Sequence, residues 1–303
     1  MRDDAGITIE KFILIMKSIS IWHFGGLTPL ELIRRIWKEV NQDFIFDSAA
    51  ALSYYWILSV FPLLIFLVSM FSLIPSGAEA KSPLLNSLLA MGGRVMPGKA
   101  FFLIAVAAER LSLHARGGLL TLGFLATLWS ASTGVSSLMA ALNRAYEIPE
   151  RRSFLKRSIL SIVLTIALTV LAILGAALLM ASDVIGTWFQ HHAAGVAWIG
   201  SILSVICGLA ALLAGFGIMY YYGPSLAKQH RQFFTPGLVI AILLFLIASA
   251  GLSIYLRLSS GFSSPVYGVF GALIILLLWL YVLGLAILLG GEINSEIWKA
   301  SNA

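Results

Sequence analysis

Apolar residues run through this chain in long blocks that carry no charge. The blocks cover 49–74, 117–142, 158–181, 195–222, 236–256 and 266–289. A helix rises about 1.5 Å per residue, so about 20 apolar residues cross a hydrocarbon layer about 30 Å thick. Each block meets that length. Lipid offers backbone N–H and C=O groups no partners, so each block is expected to be a helix. The pattern predicts an all-α, polytopic membrane protein with six transmembrane helices. A cytoplasmic amphipathic segment, 1–48, precedes a six-helix transmembrane domain, 49–303, which includes an outer helical segment at 75–116.

Shorter patterns fill in the flanks. Thr28-Pro29-Leu30-Glu31 is a capping box with proline at the first helical position, which predicts a helix start. Leu30, Ile33, Trp37, Val40 and Phe44 then recur at helical spacing, with Arg34, Arg35, Lys38 and Glu39 mostly on other faces. Such a helix lies on a membrane surface. The apolar stretch 12–16 is short and is followed by Lys17, so a cleavable signal is not expected. In the segment 75–116, Leu84, Leu85, Leu88 and Leu89, and then 101–113, suggest short amphipathic helices. Gly92-Gly93 and Met96-Pro97-Gly98 separate them.

Charge gives the orientation. The loop 143–157 holds Arg144, Arg151, Arg152, Lys156 and Arg157, whereas 182–194 holds no lysine or arginine. Positive loops stay in the cytoplasm, which predicts an N-in, C-in topology with 14 of the 20 basic residues inside. Hydrophobic residues make up 59% of the chain and charged ones 11%, too little polar surface to coat a soluble globule. The net charge of +6 suits anionic headgroups as well as nucleic acid, and the basic clusters abut spans. Arg151, Arg152, Lys156 and Arg157 are therefore expected at lipid headgroups. The lone Cys207 excludes an intrachain disulfide and a cysteine zinc cluster.

With this topology, several polar residues fall at one depth on the cytoplasmic side. Asp47 enters the first span, Asn143 and Arg144 leave the second, and Glu292 and Asn294 leave the sixth. Gly223-Pro224 and Thr235-Pro236 break helices beside them and expose spare carbonyls. Converging, they would form a polar floor; the plainer alternative is that they cap helices at headgroup level. Tyr54, Tyr55 and Ser59 place hydroxyls inside the first span, and Pro62 removes a backbone hydrogen bond there, so the segment is a substrate path or simply a packing kink. Gly123, Thr127, Ser130, Gly134, Ser137 and Ala141 draw a stripe of small residues down the second span, which favours a packing seam. His191 and His192 are adjacent and diverge, and His23, His114 and His230 are scattered; no metal site and no cofactor is expected. No HExxH, GxSxG or phosphate-loop pattern occurs. No inverted repeat is visible either.

Several stretches together resemble the YihY/BrkB family of bacterial inner-membrane proteins. They are Asp47-Ser48-Ala49-Ala50-Ala51-Leu52-Ser53-Tyr54-Tyr55 with Ser59-Val60-Phe61-Pro62, and Leu128-Trp129-Ser130-Ala131-Ser132 through Asn143-Arg144-Ala145-Tyr146. Tyr222-Gly223-Pro224 and Tyr267-Gly268 through Trp279-Leu280-Tyr281 to Gly290-Gly291-Glu292-Ile293-Asn294 complete the set. The resemblance implies a six-helix, multi-pass protein of the bacterial cytoplasmic membrane. Members have carried the label ribonuclease BN, a misattribution, and are associated with envelope phenotypes and with transport.

These readings lead to a non-enzymatic protein that moves or gates an envelope lipid, another amphiphile or an ion. The alternative is a scaffold or assembly factor for envelope biogenesis, and the least favoured is a ribonuclease. Expected partners are membrane lipids, a second copy in a homo-oligomer and envelope-biogenesis proteins, with no nucleic acid.

Overall fold

A computed structural model describes residues 24–72, 117–192, 198–227, 231–258 and 268–302. Among these, all regular structure is helical. After a 3-10 turn at Phe24–Gly26 come α1 (Pro29–Gln42), α2 (Ile45–Ser72), α3 (Gly117–Ala145), α4 (Phe154–His192), α5 (Trp198–Tyr222), α6 (Pro236–Leu258) and α7 (Gly268–Asn302). Five of them, α3 to α7, are long and apolar enough to cross a membrane. The first apolar run also folds as a helix, the 28 residues of α2. The segment 75–116, with its expected outer helices, lies outside the described residues, as does 1–23.

The start of α1 follows its sequence. Thr28 Oγ1 accepts from the Glu31 amide at 3.3 Å, and Glu31 Oε2 accepts from the Thr28 amide at 3.1 Å. That reciprocal pair satisfies donors the helix cannot. The expected single apolar stripe is only partly covered. Leu32, Ile36 and Val40 turn inward, whereas Leu30, Ile33, Trp37 and Phe44 remain exposed. Helix α1 is therefore apolar over one broad arc, of which the protein occupies the inner part, and Arg34 and Lys38 lie on the opposite side.

Helix ends differ from the hydropathy boundaries in instructive ways. α4 continues through most of the expected 182–194 loop, to His192, because no proline interrupts it. α7 runs to Asn302, well past the last apolar residue of its block, since Glu292–Lys299 meet polar and apolar partners that reward a continued helix. Backbone hydrogen bonding, not hydropathy, decides where a helix ends.

Packing centres on α7. It lies against α6, α2, α1, α3 and the 3-10 turn, while α2 runs along α3 and α4 pairs with α5. The small-residue stripe of α3 serves this packing: a Cβ on Gly134 would fall 2.6 Å from Cδ1 of the Trp56 ring. By contrast α4 shows Ile159, Val163, Ile166, Val170 and Ile173 outward, at steps of four and three. A continuous apolar stripe of that kind faces lipid.

Candidate functional site

The polar groups gather at one end of the bundle, where α3 and α5 finish, α6 begins and α7 continues beyond its apolar block. Two glycines make the gathering possible. A Cβ on Gly290 would collide with the Tyr220 hydroxyl and with Ala241 Cβ, and one on Gly291 would lie 2.8 Å from Leu142. On α6, a Cβ at Gly237 would meet the Gly290 carbonyl. With hydrogen in those places, α5, α6 and α3 close around α7 and bury the next residues. Glu292 and Ser295 are fully buried, and Asn294 and Glu296 nearly so.

Asn294 acts as a cap from a distance. Its Oδ1 accepts from the Gly237 amide at 2.9 Å, satisfying a donor in the first turn of α6. The Tyr146 hydroxyl lies beside the Asn294 amide and within electrostatic reach of Glu292. Burial pushes that phenol above its ordinary range; the amide opposes the shift and Glu292 adds to it. Tyr220, also buried, donates to the Ile287 carbonyl at 2.7 Å.

Asn143 anchors a second cluster. Its Nδ2 donates to Glu150 at 2.9 Å and its Oδ1 accepts from the Ser225 amide at 2.7 Å. Arg152 grips Glu150 through Nε at 2.7 Å and Nη2 at 2.9 Å. The same guanidinium donates to the carbonyls of Tyr222 at 3.2 Å and Gly223 at 2.8 Å. Burial alone would raise the Glu150 carboxyl, but the bonds from Arg152 and Asn143 hold it below the usual carboxylate range. A third group is a chain of charges: Lys299 Nζ sits 2.7 Å from Glu147 and 2.8 Å from Glu296, whose other oxygen is 4.0 Å from Arg35.

Glu292 belongs to none of these three arrangements. No donor among the described residues bonds either of its oxygens, nor Oδ2 of Asp43. The two carboxyls interact with each other across the contact of α1 with α7. Two ionised carboxylates present only acceptors, so the contact becomes a bond only when one of them holds a proton. Burial raises the Asp43 carboxyl above its ordinary range; its contact with Glu292 opposes that, and the charge of Glu147 adds to it. An isolated carboxylate in such surroundings costs several kcal/mol, and carboxyls that share a site keep a proton instead.

Of the expected floor residues, Asn143 anchors the separate Glu150 cluster, whereas Glu292 and Asn294 converge beside Tyr146. Asp47 does not: it is exposed in the first turn of α2, and Asp43 takes the place beside Glu292. The reason is the turn between α1 and α2. Phe44 adopts φ +52°, so the chain swings round and the two acids, one helical turn apart in sequence, part company. Arg144 is exposed and donates to Ser48 at 2.7 Å. Tyr54 faces outward and packs edge-on against Tyr55, with centroids 5.8 Å apart. Pro62 lies within α2, and its side-chain surroundings fall outside the described residues.

The spare carbonyls after α5 are taken by Arg152, one of the four basic residues expected at headgroups. Arg157 also turns inward, donating to the Ser136 carbonyl at 2.9 Å. Arg151 and Lys156 remain exposed. Sequence reasoning missed Asp43, Glu150, Glu296 and Lys299, since each lies outside the apolar blocks and only a tertiary fold brings it in. Tyr146 stood in a quoted motif, though without an assigned role.

Comparison with known proteins shows the kinship of the chain. Residues 36–303 match the family model described as Virulence factor BrkB. The chain is 34% identical over 264 residues to the ribonuclease-like protein YfkH of Bacillus subtilis, covering 84% of this chain and 90% of that one. It is 27% identical to a UPF0761 membrane protein of Tolumonas auensis, over 86% of this chain and 83% of the relative. A UPF0761 membrane protein of Ralstonia nicotianae is 26% identical over 91% of this chain, which spans 60% of that longer protein. No solved structure matches. A match of this extent, on a chain with five helices fit to cross a bilayer, is a statement of kinship: this multi-pass membrane protein belongs to the BrkB family.

Proposed function

We propose that this protein moves or gates an amphiphile or ion across the membrane, working from the polar end of the bundle. The observation that carries the reading is Glu292: a carboxyl with no exposed surface and, among the described residues, no donor on either oxygen, on the helix that most others pack against. Ionisable groups held at membrane depth mark pathways and relays, because an idle one would be replaced by an apolar residue at a gain in stability. In the proposed topology six helices span with both termini in the cytoplasm, and the polar end faces inward. The partners are membrane lipids, not nucleic acid. Helix α1 lies in the interface, with Leu30, Ile33, Trp37 and Phe44 toward the acyl boundary and Arg34 and Lys38 near headgroups.

Reconstitution in liposomes, with lipid-scrambling and ion-flux readouts, tests this. Glu292→Gln and Asp43→Asn are expected to lower flux at least tenfold while the protein still folds; unchanged flux in both would remove the site. Labelling of Arg151→Cys by an impermeant reagent from outside the cell would invert the topology.

The exposed apolar row of α1 favours a second reading, an assembly scaffold for the envelope. It predicts the opposite sensitivity: Trp37→Ser and Ile33→Ser abolish the envelope phenotype while Glu292→Gln leaves it intact. The ribonuclease-like name of the Bacillus relative suggests a third assay, RNA hydrolysis by purified protein, decisive only if a point substitution abolishes it.

A further inference from the structure

We propose that Asp43 and Glu292 form a proton-binding site, and that the proton they share holds α1 down on α7. The idea builds on the reading above by naming the ion that this end of the bundle takes. Its basis is geometric. Glu292 is fully buried, no donor among the described residues bonds either of its oxygens, and Oδ2 of Asp43, the acid it interacts with, is in the same condition. One proton converts two clashing acceptors into a short charge-assisted bond.

Asp43 occupies a mechanical position. It is the C-cap residue of α1, its amide bonded to the Glu39 carbonyl at 2.8 Å, and it immediately precedes the left-handed Phe44 that turns the chain into α2. Glu292 sits on the helix that α1 covers: Leu32 packs with Ile293 and Ile297. The 3-10 turn closes the far edge, where a Cβ on Gly25 would lie 2.9 Å from the Ile297 carbonyl. Helix α1 is thus a cover whose inner face lies on the protein, whose exposed apolar row flanks that contact, and whose hinge end carries one half of the acid pair.

Charges on every neighbouring element bear on that pair. Glu39 and Arg35 come from α1, Arg144, Tyr146 and Glu147 from α3 and the loop after it, and Glu296 and Lys299 from α7. Tyr220 of α5 is spent on a backbone carbonyl. Lys299 is bonded to Glu147 and Glu296 rather than to the pair; its charge and that of Arg144 favour the ionised Asp43 carboxyl, and burial outweighs them. The sign follows. Burial raises the Asp43 carboxyl in the docked form, so docking binds a proton that the separated carboxyls release at neutral pH. Docking is strongest in acid and is lost as pH rises from the free toward the docked value, by at most about tenfold per pH unit, levelling off above it.

The test uses the full chain in lipid nanodiscs with Cys207→Ser, carrying spin labels on Lys38→Cys in α1 and Arg151→Cys in the loop before α4. A single distance is expected in mild acid, with a longer population growing by at most about tenfold per pH unit as pH rises and then levelling off. Glu292→Gln, whose amide donates to Asp43 in place of the proton, is expected to hold the acid distance at every pH. A pH-independent distance in the parent, or an unaltered pH dependence in Glu292→Gln, overturns the proposal. If Glu292→Gln fails to fold, Asp43→Asn makes the same substitution from the other side. Infrared spectroscopy of the parent gives a second measurement: absence of a protonated-carboxyl band at neutral pH also overturns the site. A pH-dependent distance without any flux would overturn the transport reading and leave the proton site standing; flux with a fixed distance would do the reverse.

Discussion

Two acids stand at the same end of the bundle and are treated in opposite ways. Glu150 receives bonds from Asn143 and from two nitrogens of Arg152, and its cluster also ties down the backbone after α5. Glu292, more deeply buried, receives none among the described residues and interacts with another acid. Residue type is shared; the availability of donors is not. A saturated carboxylate fastens helices together and gains nothing from change of state. One left open can exchange a proton, and its surroundings respond when it does.

The largest break in that contrast comes from closing the space that keeps Glu292 buried. Gly237→Ala drives a methyl into the Gly290 carbonyl and the Asn294 amide, and is expected to destabilise the fold by about 3 kcal/mol. Thermal unfolding in detergent would show it as a lower transition or as loss of the monodisperse species. Arg152→Ala should follow at about 2 kcal/mol, because it strips Glu150 of its cation and uncaps the Tyr222 and Gly223 carbonyls. Glu292→Gln is expected to be neutral or stabilising by about 1 kcal/mol, since it removes a buried acid that has no cation of its own. An equal loss of stability in Arg152→Ala and Glu292→Gln would erase the distinction between the two sites.

Acid sharpens the comparison further. The Glu150 carboxyl is held below its ordinary value, so its contribution is present above about pH 4 and fades as pH falls through the lowered value. The Asp43 carboxyl is held above it, so that contact is strongest in acid and is lost as pH rises. Hydrogen exchange measured across pH should therefore show the loop 148–152 loosening on the acid side and α1 loosening on the alkaline side. The smallest effect is expected at Asp47. Exposed and bonded to nothing in the site, Asp47→Asn should change stability by less than about 0.5 kcal/mol in the same unfolding assay.

Much of this molecule could be read directly from residue order. Helical spans follow from uncharged length, because lipid denies the backbone every partner outside its own segment. The α1 start follows from Thr28 and Glu31, a contact within one turn. Glu292 and Asn294 stood out because polar residues at the end of an apolar block are conspicuous. What residue order left undecided was which groups meet. Asp43 rather than Asp47 came to lie by Glu292 through one left-handed residue, Arg152 and Arg157 found carbonyls at the ends of other helices, and Asn294 reached the start of α6. Hydropathy reports the solvent each segment prefers, a local property. Partnership depends on helix rotation and close approach, which glycines at 237, 290 and 291 set only once the helices are packed.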